Sequence, residues 1–258
     1  MNVTLIQHNI FWEDKQANLL HYERILAELS GKTDLVVLPE MCATGFSMNV
    51  DALAESNDGP TLTELSRMAS SYGIAITGSF IAKDAFSDRA FNRGFFLHPD
   101  GNADFRDKRH LFRMGEEASH FLPGNDNSII SYKGWNIRLL VCYDLRFPVW
   151  SRNVGNEYDL LLVCANWPES RRKVWSNLLV ARALENQCYV CGVNRIGPDG
   201  LGLNHAGDSC LIDAYGNALT SIEPGAETVQ TASIDLDSLN RFRDKFPVWK
   251  DADAFTLE

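Results

Sequence analysis

The sequence is poor in positive charge: lysine and arginine number 24 against 34 aspartates and glutamates, a formal net charge of −10. Nucleic-acid binding rests largely on neutralising phosphates, so this balance argues against a nucleic-acid partner. Two compact basic clusters, Arg106-Asp107-Lys108-Arg109 and Arg171-Arg172-Lys173, read as solvated or site-lining features. Nowhere do about 18 apolar residues run together, the length a membrane-spanning helix needs, so no membrane partner is expected. Met1 to Lys15 has neither a basic lead-in nor a sustained apolar run, which speaks against a secretory signal. The expected location is therefore the cytoplasm. There the six cysteines (Cys42, Cys142, Cys164, Cys188, Cys191 and Cys210) are expected as reduced thiols rather than disulfides.

Paired metal-ligand motifs are missing as well. Cys188-Tyr-Val-Cys191 has no second pair, and in a strand-like run residues three apart point to opposite faces, so no metal is expected. The glycines at 197, 200, 202 and 207 make a flexible loop without a G-x-G-x-x-G pattern, so no nucleotide cofactor is implied. His205 lies in that loop without the acidic pattern of a catalytic triad, and a surface or loop role is expected of it. Linkers, repeats and composition breaks are also absent.

What the chain does have is an ordinary globular balance, 45% hydrophobic and 22% charged residues over 258 positions, with enough apolar material for a large core. Val3 to Asn9 reads as a strand and Asp14 to Leu29 as an amphipathic helix closed by Gly31. Asp34 to Leu38 is a short apolar run of the kind buried on both faces of a sheet. Thr61 and Glu64 read as a capping box opening a helix that runs to about Tyr72. Gly73 to Ile81 and Phe91 to His98 are strand-like, and Pro99-Asp100-Gly101 is a turn into another strand. Ser128 to Tyr132 and Trp135 to Val141 form a hairpin about Lys133-Gly134. Asp159 to Ala165 is a buried strand, Arg172 to Gln187 a long helix, and Cys188 to Asn194 a strand. Ala206 to Ala214 and Val229 to Ile234 complete the sheet material. Mixed strands and helices without a break predict one α/β domain over 1–258 with parallel and antiparallel pairing. The tail, about 237–258, is helical and then irregular; Phe246 and Trp249 make it a candidate for a subunit interface.

Three places carry chemistry. Cys142 ends the apolar strand Ile137 to Val141 and precedes a tight turn. A nucleophile at such a tip projects above the sheet with the next backbone N–H, that of Tyr143, beside it to bind an oxyanion. Glu40, in Leu38-Pro39-Glu40-Met41, follows a buried strand, where a carboxylate is costly unless it faces a cleft or a partner. Such a carboxylate can take up a thiol proton and later deliver it. Lys108 stands in Asp107-Lys108-Arg109-His110-Leu111-Phe112. Taken singly, each residue also reads as a buried structural thiol, a strand-ending carboxylate or a surface lysine.

Together, and in this order, these segments resemble the Glu, Lys and Cys motifs of the nitrilase superfamily of carbon–nitrogen hydrolases. The likeness extends to Thr44-Gly45-Phe46-Ser47, Ala165-Asn166-Trp167-Pro168, Arg182 to Gln187, Gly192 to Arg195 and Gly207-Asp208-Ser209. It therefore spans nearly the whole chain. Asn166-Trp167-Pro168 and His110 to Met114 are most similar to the omega-amidases, which hydrolyse the terminal amide of 2-oxoglutaramate and 2-oxosuccinamate. The resemblance implies a four-layer αββα sandwich of two mixed sheets flanked by helices, in subunits that pair as homodimers through helices. It also implies a Cys142 thioester, Glu40 as proton carrier, Lys108 as oxyanion clamp, and a second glutamate after the lysine motif. Glu116 and Glu117 compete for that last place, and spacing from Met114 favours Glu117. Asn166, Trp167 and Arg171 are candidates for substrate contact, Arg171 for a substrate carboxylate. No cofactor is required. Two other functions stand against omega-amidase activity: another reaction of the superfamily, on a nitrile, an N-carbamoyl group or deaminated glutathione, and an idle binding protein.

Overall fold

The structure is a computed structural model describing residues 1–257. In chain order the elements are β1 (Asn2–Gln7), α1 (Lys15–Leu29), β2 (Leu35–Val37), α2 (Val50–Leu53), α3 (Pro60–Tyr72), β3 (Ala75–Lys83), β4 (Ala90–Leu97) and β5 (Ala103–Asp107). There follow α4 (Glu117–His120), β6 (Ile130–Tyr132), β7 (Trp135–Val141), β8 (Leu160–Ala165), α5 (Arg172–Asn186), β9 (Tyr189–Asn194), β10 (Ile196–Pro198), β11 (Asn204–Ala206), β12 (Cys210–Ile212), β13 (Thr228–Ser233) and α6 (Leu236–Lys245).

The strands form a six-stranded sheet, β13-β1-β2-β3-β4-β5, a five-stranded sheet, β12-β9-β8-β7-β6, and the small hairpin β10-β11. β1, β2 and β3 run parallel, as do β7, β8 and β9, while the outer strands pair antiparallel. Both sheets are therefore mixed, and they stack face to face between helices as the αββα sandwich that was expected. Period-two alternation explains the layering. Val3, Leu5, Leu35, Val37, Ala75 and Phe96 turn inward to a core shared with β7, β8, β9 and α5. Their neighbours Ile6, Val36, Leu38, Ile76, Phe95 and Leu97 turn outward against α1 and α3.

Local signals set several boundaries. Asp14 caps α1 by accepting from the Ala17 amide at 3.0 Å. Lys133 and Gly134 have φ values of 47° and 79°, the pair of positive angles that a two-residue hairpin turn with the sheet's own twist requires. The capping box expected at Thr61 does not form. Pro60, with no N–H and a preset φ, takes the first helical position after Gly59. Thr61 then lies inside the helix, and the Glu55 carboxylate accepts from its amide at 2.8 Å and its hydroxyl at 3.1 Å. Glu64 instead pairs with Arg67 at 2.8 Å.

The glycine-containing loop is likewise more ordered than expected: β10 and β11 pair across it and bury His205, whose Nδ1 lies 3.2 Å from the Gly197 carbonyl. The Ala206 to Ala214 run is split into β11 and β12 at Gly207 and Asp208, whose φ values are 76° and 55°.

Candidate active site

β2 runs parallel to β1 and β3, and β5 points the same way as β3; β7 and β8 run parallel to each other, and the contact of Asn166 with Glu40 places the segments leaving both sets at one end of the sandwich. Ligand sites of open α/β sheets form at such carboxyl ends. Glu40 follows β2, Lys108 follows β5, Cys142 follows β7 and Asn166 follows β8.

The fold brings these residues together. Lys108 Nζ lies 2.9 Å from Glu40 Oε1 and 2.9 Å from Glu117 Oε1, and all three side chains are wholly buried. Glu117 is thus the glutamate at the lysine, whereas Glu116 is exposed, in the left-handed region just ahead of α4. The second Glu117 oxygen accepts from the Phe112 amide at 2.6 Å, which folds the segment after Lys108 back onto the cluster. The Phe46 ring stands 5.2 Å from the Lys108 ammonium, a cation–π contact in a water-poor place.

Cys142 opens a tight turn over Cys142–Arg146 with φ at 50°. For an L-residue the left-handed region costs about 1–2 kcal/mol, so surrounding contacts must hold it. Asp144 supplies them: its carboxylate accepts from the Val141 amide at 3.2 Å and the His110 amide at 2.8 Å, and lies 2.8 Å from His110 Nδ1. The His110 ring stacks on Phe147 at 3.6 Å between centroids. The Cys142 turn and the lysine segment are therefore tied together.

The Glu40 carboxylate and the Lys108 ammonium both act on the Cys142 thiol through their charges. Burial, then the Glu40 charge, push this thiol well above its usual range against the pull of Lys108. Burial alone would lower the Lys108 ammonium, yet Glu117 and Glu40 outweigh it and hold the ammonium well above its ordinary value. Burial and the Glu40 charge raise Glu117 in spite of Lys108. The sulfur therefore rests as a thiol, because the nearby cation is already shared by two acids.

Asn166 donates its amide N–H to Glu40 Oε2 at 2.9 Å and its side-chain Nδ2 to the Glu40 carbonyl. The Trp167 amide is fixed by Asn194 Oδ1 at 2.7 Å, and Trp167 itself is buried. Arg171 stacks its guanidinium 5.0 Å from the Phe112 ring. Tyr143, packed edge-on against Phe112 and Phe147, borders a cleft of about 450 Å³ also lined by Arg113 and the 81% exposed Met114. A larger hollow of about 560 Å³ beside Arg93 and Asp107 contains no member of the cluster. The sequence reading missed Asn92, Asp144 and Asn194. For Asn92 a signal existed, a lone amide within a strand that otherwise buries apolar side chains.

A sandwich with a thiol, two carboxylates and an ammonium gathered at its strand ends is an arrangement suited to hydrolysis. The sequence matches the carbon–nitrogen hydrolase family over residues 2–244, and the chain belongs to that family. It is 42% identical over 257 residues to the omega-amidase YafV of Escherichia coli K12, covering 100% of this chain and 98% of that one. It is 31% identical to the 2-oxoglutaramate amidase of Bacillus subtilis 168, covering 96% of each. Its fold matches XC1258 of Xanthomonas campestris, described as a CN-hydrolase superfamily protein with an arsenic adduct in the active site. That match has a TM-score of 0.96 and 41% identity, covering 100% and 99% of the two chains. The protein is an amide-hydrolysing enzyme of the nitrilase superfamily.

Proposed function

We propose that the enzyme hydrolyses the terminal amide of a small 2-oxo dicarboxylate monoamide, 2-oxoglutaramate or 2-oxosuccinamate, to the acid and ammonia through a Cys142 thioester. The observation that carries this is the buried contact of Lys108 with both Glu40 and Glu117 at the strand ends from which the buried Cys142 also emerges.

In this mechanism the Cys142 sulfur attacks the amide carbon while its proton passes to Glu40. Lys108 and the Tyr143 backbone N–H hold the oxyanion, each such donor contributing about 2.7–4 kcal/mol to the lowering of the barrier. Protonated Glu40 gives the proton to the departing nitrogen, and ammonia leaves as the thioester forms. Glu40 then removes a proton from water, which attacks the thioester, and returns that proton to the departing sulfur, freeing the acid product and the thiol. Glu117 reacts with nothing; it orients Lys108. Asn166 and Trp167 border the reacting amide, and Arg171 meets the distal carboxylate of the substrate. The names of the E. coli and B. subtilis relatives support this substrate class. The arsenic adduct in the Xanthomonas relative fits a reactive thiol, since arsenic is thiophilic.

We also propose that residues 1–258 act as one catalytic unit, that two copies pair with the tail at their interface, and that the enzyme works in the cytoplasm. The six free cysteines suit a reducing compartment. Ammonia release from 2-oxoglutaramate, glutamine, an N-carbamoyl amino acid and an aliphatic nitrile tests the specificity, with Cys142→Ala as control. Release from the oxo-amide that Cys142→Ala abolishes is expected; turnover of the nitrile alone refutes the substrate, and turnover by the variant refutes the nucleophile.

A further inference from the structure

Asn92 is wholly buried in β4. Its Nδ2 donates to Glu40 Oε1 at 2.7 Å and to Glu117 Oε1 at 3.0 Å, the same two oxygens that Lys108 holds. Its Oδ1 accepts from Ser79 Oγ of β3 at 2.9 Å, and Ser79 Oγ in turn accepts from the Met41 amide at 2.8 Å.

The direction of this chain is fixed by its first member. A backbone amide can only donate, so Ser79 Oγ must accept there and spend its own hydrogen on Asn92 Oδ1. That bond sets the orientation of the Asn92 amide and aims Nδ2 at the carboxylates. Met41, the origin of the chain, is the residue after Glu40 and has φ at 43°. The backbone beside the acid and one oxygen of that acid are thus clamped by a single relay. Glu40 Oε1 has two strong donors. Glu40 Oε2 has the Asn166 amide at 2.9 Å, and Asn166 follows β8 in the same sheet whose β7 leads to Cys142, so Oε2 is the oxygen turned toward the sheet of the thiol.

We propose that Ser79 and Asn92 are positioning residues whose directional hydrogen-bond relay fixes Glu40 Oε1 in the cluster and leaves Oε2 to exchange the proton with Cys142. Neither touches the reacting atoms. The proposal rests on the assignment of Glu40 as proton carrier, and on no particular substrate. The titratable groups facing Glu40 are Lys108 after β5, Glu117 on α4, Cys142 after β7 and Cys164 on β8. Among these the relay adds the neutral donor that lets two carboxylates share one ammonium. Asn92→Leu removes that donor from the ionised form of both acids, so the acidic limb of reactivity moves to higher pH.

The test reads the rate of Cys142 alkylation by iodoacetamide against pH, followed by intact mass, beside turnover of 2-oxoglutaramate. In Asn92→Leu the acidic limb is expected to move up by roughly one unit, with a loss of about 10- to 100-fold in rate at neutral pH, the size of one hydrogen bond to a charged group. Ser79→Ala, a small change suited to folding, is expected to move the limb in the same direction by less. The double variant should match Asn92→Leu alone, since both act through one chain. An unmoved limb in folded Ser79→Ala or Asn92→Leu overturns the relay, as does full additivity in the double variant. Alkylation that follows the expected pattern while 2-oxoglutaramate is not turned over upholds the relay and refutes only the substrate.

Discussion

Lys108 is the residue on which the charges of the site balance. Without it, Glu40 and Glu117 face each other in a place closed to water, and burial and the Glu40 charge, which raise Glu117, are opposed only by the hydrogen bonds from Phe112 and Asn92. A carboxyl whose folded-state value lies above its unfolded value near 4.3 keeps its contribution to stability at low pH and loses it as pH rises through the folded value. Lys108→Met is therefore expected to lower the melting temperature little at pH 5 and much more at pH 8. Breaking a buried pair costs about 3–5 kcal/mol, and calorimetry at the two pH values checks the sign. Amide turnover should fall by roughly 10²–10³-fold with the lost oxyanion donor. At this scale Glu40, Lys108, Cys142 and Glu117 were legible in the sequence because each lies in a short run whose neighbours are also distinctive. Asn92 stood out only as a lone amide in a strand that otherwise buries apolar side chains, and Asp144 was not legible as a site residue. Their hydrogen bonds reach Glu117 and His110, 25 and 34 positions away, and spacing along the chain contains no trace of such pairing.

At the scale of elements, apolar runs and turn residues located most strands and both long helices. The misplaced start of α3 shows why boundaries are harder. Thr61 and Glu64 have the right spacing for mutual capping, but Pro60 had already begun the helix and Glu55, outside the motif, supplied the cap. Packing between elements is equally hidden. At Gly192 in β9, an added Cβ would stand 2.6 Å from one Leu179 methyl and 2.9 Å from the Trp175 ring on α5. Gly192→Ala should accordingly overpack the helix against the sheet and cost about 1–3 kcal/mol. Each kcal/mol lowers the melting temperature of a chain this size by roughly 2–4 °C, which a thermal scan measures. Unchanged melting would mean that α5 can shift outward freely.

At the scale of the molecule, the sequence announced an α/β domain, and its family likeness implied the stacking of two sheets. Periodicity alone did not imply it, because β2 and β8 are apolar on both faces and show no contrast between a core side and a helix side. Nor does one chain display whether it pairs. Phe246 is 58% exposed, Phe255 43% and Leu257 45%, beside an α6 anchored by Arg243 to Asp159 at 2.6 Å. Light scattering at micromolar concentration is expected to give the mass of a dimer, and removing residues after Lys245 should shift it toward the monomer. A monomer in the full chain would refute the pairing.

Glu40 and Lys108 leave one sheet, Cys142 and Asn166 the other. Neither half of the sandwich holds the whole cluster, so the cluster exists only while the two slabs keep their alignment. On the proposed mechanism a slip of an ångström between them would slow turnover before the chain unfolded, which makes turnover a strain gauge mounted across the seam.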